Sequence, residues 1–193
     1  MLQEAPAMTE KPQTEASKLP IRRIVLTGFM GSGKSTVGPM IAQRVGWKFI
    51  DVDNVIVDET GMAISDFFAR HGETAFRKRE HDTIARLAQE NALVLALGGG
   101  AIEDAMTRQL LRTGQGTLLV HLEVGLATTL ARCRGTEDTR PVLADQTNLV
   151  RRYEQRMPLY RTAHVSIGVD ALTPEQVVGA VIAAAKIGGG KAK

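Results

Sequence analysis

The chain has 193 residues, of which 44% are hydrophobic and 23% charged, and its formal net charge at pH 7 is +3. These proportions are those of a globular protein, and the length suits one domain with a hydrophobic core. The small positive excess is spread along the chain, which favours small anionic ligands over nucleic acid. One cysteine, Cys133, leaves no internal disulfide, and no apolar run reaches the roughly 20 residues of a membrane span. We therefore expect a cytoplasmic protein that binds neither nucleic acid nor membranes.

The two ends of the chain differ in composition from the rest. Residues 1–20 contain three prolines among polar residues and show no apolar period, which predicts a disordered leader. Residues 187–193 include three consecutive glycines and predict a flexible tail. The predicted single domain occupies residues 21–186.

Within this domain, short apolar segments alternate with segments of helical periodicity. The predicted strands cover residues 21–27, 47–52, 92–97, 117–122 and 165–167. The predicted helices cover residues 64–70, 73–91, 103–112, 125–134 and 147–156, with further helices starting at 34 and 174. This alternation indicates an α/β fold with a parallel sheet covered on both faces. Ligands of such sheets bind at the carboxyl ends of the strands.

A phosphate-binding loop is the most specific motif. Residues 28–36 read GFMGSGKST and match G-x-x-x-x-G-K-[ST] between a predicted strand and a predicted helix. Glycines let successive backbone N–H groups turn towards an anion, and the helix adds the positive end of its dipole. Lys34 would neutralise the β- and γ-phosphates of a nucleoside triphosphate, and the Ser35 hydroxyl would bind Mg²⁺. Pro39 lies inside the helix that follows and lacks an N–H, so we expect a local kink or a widened turn there.

Asp51 and Asp53 alternate at the end of the second predicted strand, so we expect their side chains to point to opposite sides. One carboxylate would reach Mg²⁺ through water, and the other would face a second substrate. A strand-end turn with solvated carboxylates is the alternative. The neighbouring phosphate loop favours the functional interpretation.

Gly98, Gly99 and Gly100 follow directly after the third predicted strand. Consecutive glycines lose much conformational entropy on folding, so they indicate a place where the backbone approaches a ligand closely. A flexible turn is the alternative interpretation.

Two arginines are candidates for binding an acid. Arg77 has Glu73 four residues before it and Glu80 three residues after it. It therefore forms routine helix ion pairs, or it faces a pocket in which Glu80 holds its guanidinium. Arg156 is either a cation at a helix end or a pocket residue. Spacing alone leaves both alternatives open.

A polar loop, residues 135–146, contains Arg140 followed by Pro141. Such a loop suits a lid that closes over phosphates and excludes the water that would hydrolyse the nucleotide.

Taken together, these motifs resemble those of the shikimate kinases, and the resemblance covers residues 21 to about 184. Each segment outside the phosphate loop is weakly specific alone, but the set in this order is highly specific. The segments are GFMGSGKST at 28–36, DVD at 51–53, FR at 76–77, LGGGA at 97–101, RPVL at 140–143 and RMPLY at 156–160.

The resemblance implies the fold of the nucleoside monophosphate kinase group, with a five-stranded parallel sheet in the order 2-3-1-4-5. It implies ATP-dependent phosphorylation of the 3-hydroxyl of shikimate, which yields shikimate 3-phosphate and ADP in aromatic amino acid biosynthesis. Mg²⁺ is the implied cofactor, and the implied enzyme is a monomer whose partners are ATP and shikimate.

The resemblance also implies roles on the nucleotide side. Lys34 and Arg140 would stabilise charge on the transferring phosphoryl group, and Arg134 would stack near adenine. Ser35 would bind Mg²⁺ directly, and Asp51 would bind it through water. The implied ATP-binding residues are Gly31, Ser32, Gly33, Lys34, Ser35, Thr36, Arg134 and Arg140.

On the acid side, the resemblance implies that Arg77 and Arg156 bind the carboxylate of shikimate. Asp53 would hold the substrate hydroxyls and is the candidate base. Two glycines and two phenylalanines would complete the pocket. The implied substrate-binding residues are Asp53, Phe68, Phe76, Arg77, Gly99, Gly100 and Arg156.

Two other interpretations fit parts of the sequence. Another small-molecule kinase of the same group, such as a gluconate or nucleotide kinase, would share the phosphate loop. A GTPase-like switch would use the D-x-x-G match at residues 58–61, but the chain has no Asn-Lys-x-Asp guanine motif.

Overall fold

The computed structural model describes residues 20–133 and 146–186. Residues 1–19 of the predicted leader, the predicted tail, most of the predicted lid, and both Arg134 and Arg140 lie outside these residues. Five parallel strands form one sheet in the order β2-β3-β1-β4-β5, which confirms the predicted fold. The strands are β1 Arg23–Thr27, β2 Lys48–Asp51, β3 Leu93–Ala96, β4 Thr117–Glu123 and β5 Val165–Gly168.

Seven α-helices and a short 3₁₀-helix surround the sheet in the described part of the chain. The α-helices are α1 Lys34–Val45, α2 Val52–Thr60, α3 Ile64–Leu87, α4 Ala105–Thr113, α5 Leu126–Cys133, α6 Gln146–Tyr160 and α7 Pro174–Ala185. The 3₁₀-helix, Ala101–Glu103, connects the glycine run after β3 to α4. None of these described helices is long and apolar enough to span a bilayer.

The centre of the sheet is the core of the molecule. Every residue of β1 and β3 is buried, and β4 is buried except at Glu123. Continuous burial is expected for parallel strands with helices on both faces. Helix α1 approaches β2 so closely at Gly38 that a methyl group there would collide with the ring of Phe49. Helix α1, which follows the phosphate loop, therefore packs closely against β2.

The predicted second strand is too long. The observed strand β2 ends at Asp51, and Val52 already begins α2, a helix that the sequence analysis did not predict. The Asp51 carboxylate caps α2 by accepting a 3.0 Å hydrogen bond from the backbone N–H of Asp53. The prediction that the two aspartates alternate along a strand is therefore wrong. A capping aspartate satisfies an N–H group that the first helical turn leaves unpaired, and this outweighed the alternation.

Three further predicted interruptions or ends of helices have different outcomes in the structure. Gly72 leaves the helical conformation (φ 79°, ψ 170°) inside α3, between the two predicted helical stretches. Helix α1 continues through Pro39, and the kink predicted there stays a prediction. Helix α6 runs past the predicted end at Arg156, includes Pro158 and ends at Tyr160.

Candidate active site

A cleft of about 740 Å³ opens at the carboxyl ends of the strands. Its lining joins the phosphate loop to the residues that follow β2 and β3 and to α6. From the loop to α6, the lining includes residues 30–37, Asp51, Asp53, Gly98, Gly99, Gly100 and Arg156. The carboxyl-end location is therefore the one expected for a ligand site in a parallel sheet.

The phosphate loop turns through glycines in the left-handed region. Gly31 has φ 74° and Gly33 has φ 93°, and α1 begins directly afterwards at Lys34. The Lys34 ammonium donates 2.7 and 3.3 Å hydrogen bonds to the carbonyl oxygens of Gly28 and Phe29. The loop thus presents backbone N–H groups, a helix N-terminus and a cation together, which is the physical requirement for binding phosphates.

Asp53 lies in the first turn of α2 and faces Gly98. A methyl group on Gly98 would lie 2.7 Å from Oδ1 of Asp53 and 2.8 Å from Oε1 of Glu80, so only glycine leaves room between the two carboxylates. Burial and, secondly, the nearby Asp51 carboxylate together raise the pKa of Asp53 to about 6. A carboxylate with a pKa near neutrality can accept a proton in catalysis.

Arg77 makes both of the helix ion pairs that its spacing suggested, and its side chain is largely buried. Its Nη1 donates a 2.6 Å hydrogen bond to Glu80, whose side chain is 2% exposed, while Nη2 lies 3.3 Å from the exposed Glu73. Burial raises the pKa of Glu80 to about 7, although Arg77 acts in the opposite direction. The second Glu80 oxygen, Oε1, is buried and has no hydrogen-bond partner among the described residues.

Arg156 is a pocket residue, with 9% of its side chain exposed. It donates from Nε and Nη2 to the two oxygens of Glu103, at 3.1 and 3.0 Å, and its guanidinium carbon lies 5.9 Å from the centre of the Phe29 ring. Nη2 of Arg77 lies 3.5 Å from the same Glu103 carboxylate. The two arginines therefore converge on one carboxylate. Glu103 did not appear among the residues predicted from the sequence.

Tyr160 contacts the glycine run after β3 from the core of the protein. It is fully buried, and its hydroxyl donates a 2.6 Å hydrogen bond to the carbonyl oxygen of Gly99. The ring of His121 stacks on it with the centroids 5.1 Å apart, and burial lowers the pKa of His121 to about 4, which keeps the imidazole neutral. We use the name arginine pocket for the set Asp53, Arg77, Glu80, Gly98, Gly99, Gly100, Glu103 and Arg156.

Three predicted residues do not line the cleft. Phe68 packs on the buried Phe76, with the ring centres 4.5 Å apart, and neither ring is among the cleft residues. Arg77 sits against Gly100, where its guanidinium would collide with any added side chain. Its contact with the cleft residue Arg156 is indirect, because both arginines pair with Glu103.

At the other end of the cleft, Arg132 lines the wall together with Leu172 and Pro174. It donates hydrogen bonds to the carbonyl oxygens of Gly31 (3.0 Å) and Val169 (3.3 Å). Arg134, which the resemblance implies near adenine, lies outside the described residues, and Arg132 did not appear among the residues predicted from the sequence.

The oxygens available for a divalent cation are few but suitable. Ser35 and Asp51 both line the cleft beside the phosphate loop. The described residues contain no cluster of three metal-binding side chains. This donor set fits Mg²⁺, which keeps several waters and is usually bound by one or two protein oxygens together with substrate phosphates.

The comparisons with known proteins agree with this geometry. The family model described as shikimate kinase matches residues 30–186. The shikimate kinase of Salinibacter ruber is 38% identical over 171 residues, covering 83% of this chain and 82% of its own. That of a Sulfurihydrogenibium species is 36% identical and covers 82% of this chain and 94% of its own. The chain belongs to the shikimate kinase family.

A solved member of the shikimate kinase family has the same architecture. The enzyme from Acinetobacter baumannii, in complex with shikimate, superposes with a TM-score of 0.78 at 34% identity, covering 84% of this chain and 91% of that one. Members of this family are ATP-dependent kinases, so the chain is a phosphotransferase. Its fold and its phosphate loop agree with that class.

Proposed function

We propose that the chain transfers the γ-phosphoryl group of ATP to the 3-hydroxyl of shikimate, giving shikimate 3-phosphate and ADP in aromatic amino acid biosynthesis. The observation that carries the proposal is the convergence of Arg77 and Arg156 on the Glu103 carboxylate, beside a cleft that is lined by Arg156 and the phosphate loop. Two guanidinium groups around one carboxylate are a means of selecting an acid. The loop supplies the polyphosphate site beside it.

On the nucleotide side, the backbone of residues 31–36 would surround the β- and γ-phosphates. Lys34 would leave the loop carbonyls that it contacts here and neutralise charge on the transferring group. Arg140 and Arg134 keep the roles that the resemblance implies. Arg132 is a further candidate for contacting the base, because it shares one cleft wall with Pro174.

On the acid side, the substrate carboxylate would pair with Arg156 and Arg77, and the backbone at Gly99 and Gly100 would contact the ring. The 3-hydroxyl oxygen would form a bond to the γ-phosphorus while the bond to ADP breaks. Asp53 would take the hydroxyl proton, for which its raised pKa suits it. The unpaired Oε1 of Glu80 would accept a hydrogen bond from another hydroxyl or a water.

Mg²⁺ would be held by the Ser35 hydroxyl and, through water, by Asp51, and it would neutralise phosphate charge during transfer. Contact of Phe68 with the substrate ring, a monomeric state and a cytoplasmic location remain part of the proposal.

A substrate panel tests the proposal. The chain would be incubated with ATP, Mg²⁺ and shikimate, gluconate or nucleoside monophosphates, and ADP release would be followed by a coupled assay. We expect saturable ADP release with shikimate and only background release with the others. Greater turnover with gluconate or a nucleotide would contradict the proposal and favour another kinase of the same fold.

A further inference from the structure

The carboxylate held by the two arginines in this structure belongs to the protein itself. Glu103 accepts two hydrogen bonds from Arg156, one on each oxygen, and its Oε2 is also the atom nearest Arg77. This two-point pairing is the geometry with which a guanidinium binds a free carboxylate. Glu103 therefore occupies the positions in which the carboxylate of an acid substrate would be bound.

Glu103 is placed to leave these positions without unfolding its surroundings. Its backbone is fixed, because its N–H donates to Gly100 (2.9 Å) and its carbonyl accepts from Arg108 (2.8 Å). The next residue, Asp104, caps α4. The side chain, in contrast, is 36% exposed, while that of Arg156 is 9% exposed. Rotation about the side-chain bonds of Glu103 would release the arginines and carry its carboxylate into water.

We propose that Glu103 is an internal competitor for the acid substrate, so that its occupancy of the arginine pair sets the apparent affinity of the enzyme for shikimate. This inference rests on the proposed function, because it requires that the substrate carboxylate binds Arg156 and Arg77. Shikimate binds only the fraction of molecules in which Glu103 has swung away. In the free enzyme the buried arginine is thus mostly paired with Glu103, and in the complex it is paired with the substrate.

The expected effect follows from this competition. The apparent dissociation constant equals the intrinsic one divided by the competent fraction. If Glu103 holds the arginines in about four of five free molecules, removal of its charge tightens shikimate binding about fivefold. The affinity for ATP is unaffected, since Glu103 is not among the residues that line the cleft near the loop.

Three variants separate competition from a general charge effect, with the dissociation constant of shikimate measured by calorimetry. Glu103→Gln keeps the shape and removes the charge, and we expect a decrease of about fivefold. Glu103→Asp keeps the charge but shortens the reach, and we expect a decrease as well. Glu73→Gln is the matched control, because Glu73 contacts Arg77 but not Arg156, and we expect a change of less than about twofold.

Other patterns would overturn the inference. Weaker shikimate binding in Glu103→Gln would mean that Glu103 orients the arginines for the substrate. Unchanged binding would mean that Glu103 does not occupy the position of the substrate carboxylate. Tighter binding in Glu103→Gln with wild-type binding in Glu103→Asp would show a general effect of charge. The methyl ester of shikimate, which has no carboxylate to exchange, should bind Glu103→Gln and the wild type equally, and an equal gain for ester and acid would refute competition.

Arg156→Lys distinguishes failure of this inference from failure of the proposed site. A lysine retains the charge but cannot bind a carboxylate at two points. If this variant binds shikimate weakly while Glu103→Gln changes nothing, the substrate site stands and only the competition is refuted. If Arg156→Lys binds shikimate as the wild type does, the acid does not bind here, and both proposals fail.

Discussion

The phosphate loop and the arginine pocket meet at one cleft but are built differently. The loop uses the backbone of consecutive residues and the end of one helix, and its cation, Lys34, contacts carbonyl oxygens of the loop itself. The pocket uses charged side chains from α2, α3, the 3₁₀-helix and α6, and its arginines are paired with glutamates. Phosphates are highly charged and similar in all nucleotides, whereas a particular acid is selected by the positions of separate groups.

This difference has an energetic consequence. Backbone N–H groups carry partial charges and tolerate an empty site, because water can solvate them. A buried guanidinium without a partner is costly, since desolvation of a full charge is not compensated. The pocket therefore includes its own acids, Glu80 and Glu103, and the loop does not.

The largest effect is expected from removing the loop cation. Lys34→Ala should lower kcat at least about a hundredfold, because no other group on the loop can neutralise the transferring phosphoryl at that position. Steady-state kinetics with saturating shikimate would measure the loss. Lys48→Ala is the matched control, since Lys48 is an exposed lysine paired on the surface with Glu90. Wild-type turnover in Lys34→Ala would remove the loop from the mechanism.

A smaller effect, confined to the other half of the cleft, is expected from Arg77→Ala. The KM for shikimate should rise about tenfold or more, because a charge-assisted contact is lost, while ATP binding survives. Arg79→Ala serves as the control on the same helix, where Arg79 pairs with Glu59 away from the pocket. Unchanged shikimate kinetics in Arg77→Ala would refute the assignment of the pocket, and an equal loss of ATP affinity would show that the two halves are not independent.

The smallest expected effect is on the pH dependence of kcat/KM. The pKa of Asp53 is raised to about 6 and that of Glu80 to about 7, so kcat/KM for shikimate should fall on the acidic side with an apparent pKa between these values. The apparent pKa of this acidic limb belongs to Asp53 and Glu80 together, because the two carboxylates interact. A profile that stays flat down to pH 5 would contradict a carboxylate base.

The same raised pKa values predict the sign of a stability change. Between about pH 4 and pH 7 native Asp53 and Glu80 hold protons that the unfolded chain has released, so their contribution to the free energy of unfolding decreases as the pH rises, while His121, whose pKa is lowered, contributes in the opposite direction. Urea unfolding at pH 5 and pH 7.5 measures this difference. Asp53→Asn should make the difference smaller, since the variant has one buried carboxylate fewer.

The two halves of the cleft also differ in how far the sequence predicts them. The order of strand, loop and helix around the phosphate loop was predicted from the sequence, because that motif depends on neighbours along the chain. In the pocket, Arg77 and Arg156 were left open from spacing, since a helix surface and a pocket wall can carry the same residues. Glu103 was not predicted, because the meeting of three distant side chains depends on the packing of α3 and α6. A single acidic residue shortly after the glycine run was the only local signal.

The fold was predicted in its strands and order but not in every helix. The buried strands β1, β3 and β4 have apolar runs that only a covered sheet explains. Helix α2 was overlooked because Asp51-Val52-Asp53 fits both an alternating strand end and a capped helix start. In the structure, Asp51 caps the helix through its hydrogen bond from Asp53.

The hydrogen bond from Tyr160 to Gly99 changes what the three glycines mean for binding. Each carbonyl of the run has a partner: Gly98 accepts from the N–H of Ala101, Gly99 from Tyr160, and Gly100 from the N–H of Glu103. Because a trans peptide is planar, fixing the Gly99 carbonyl also fixes the direction of the Gly100 N–H. The peptide planes are thus set while the protein folds, so the most flexible residue type forms a rigid wall and its loss of entropy does not weaken ligand affinity.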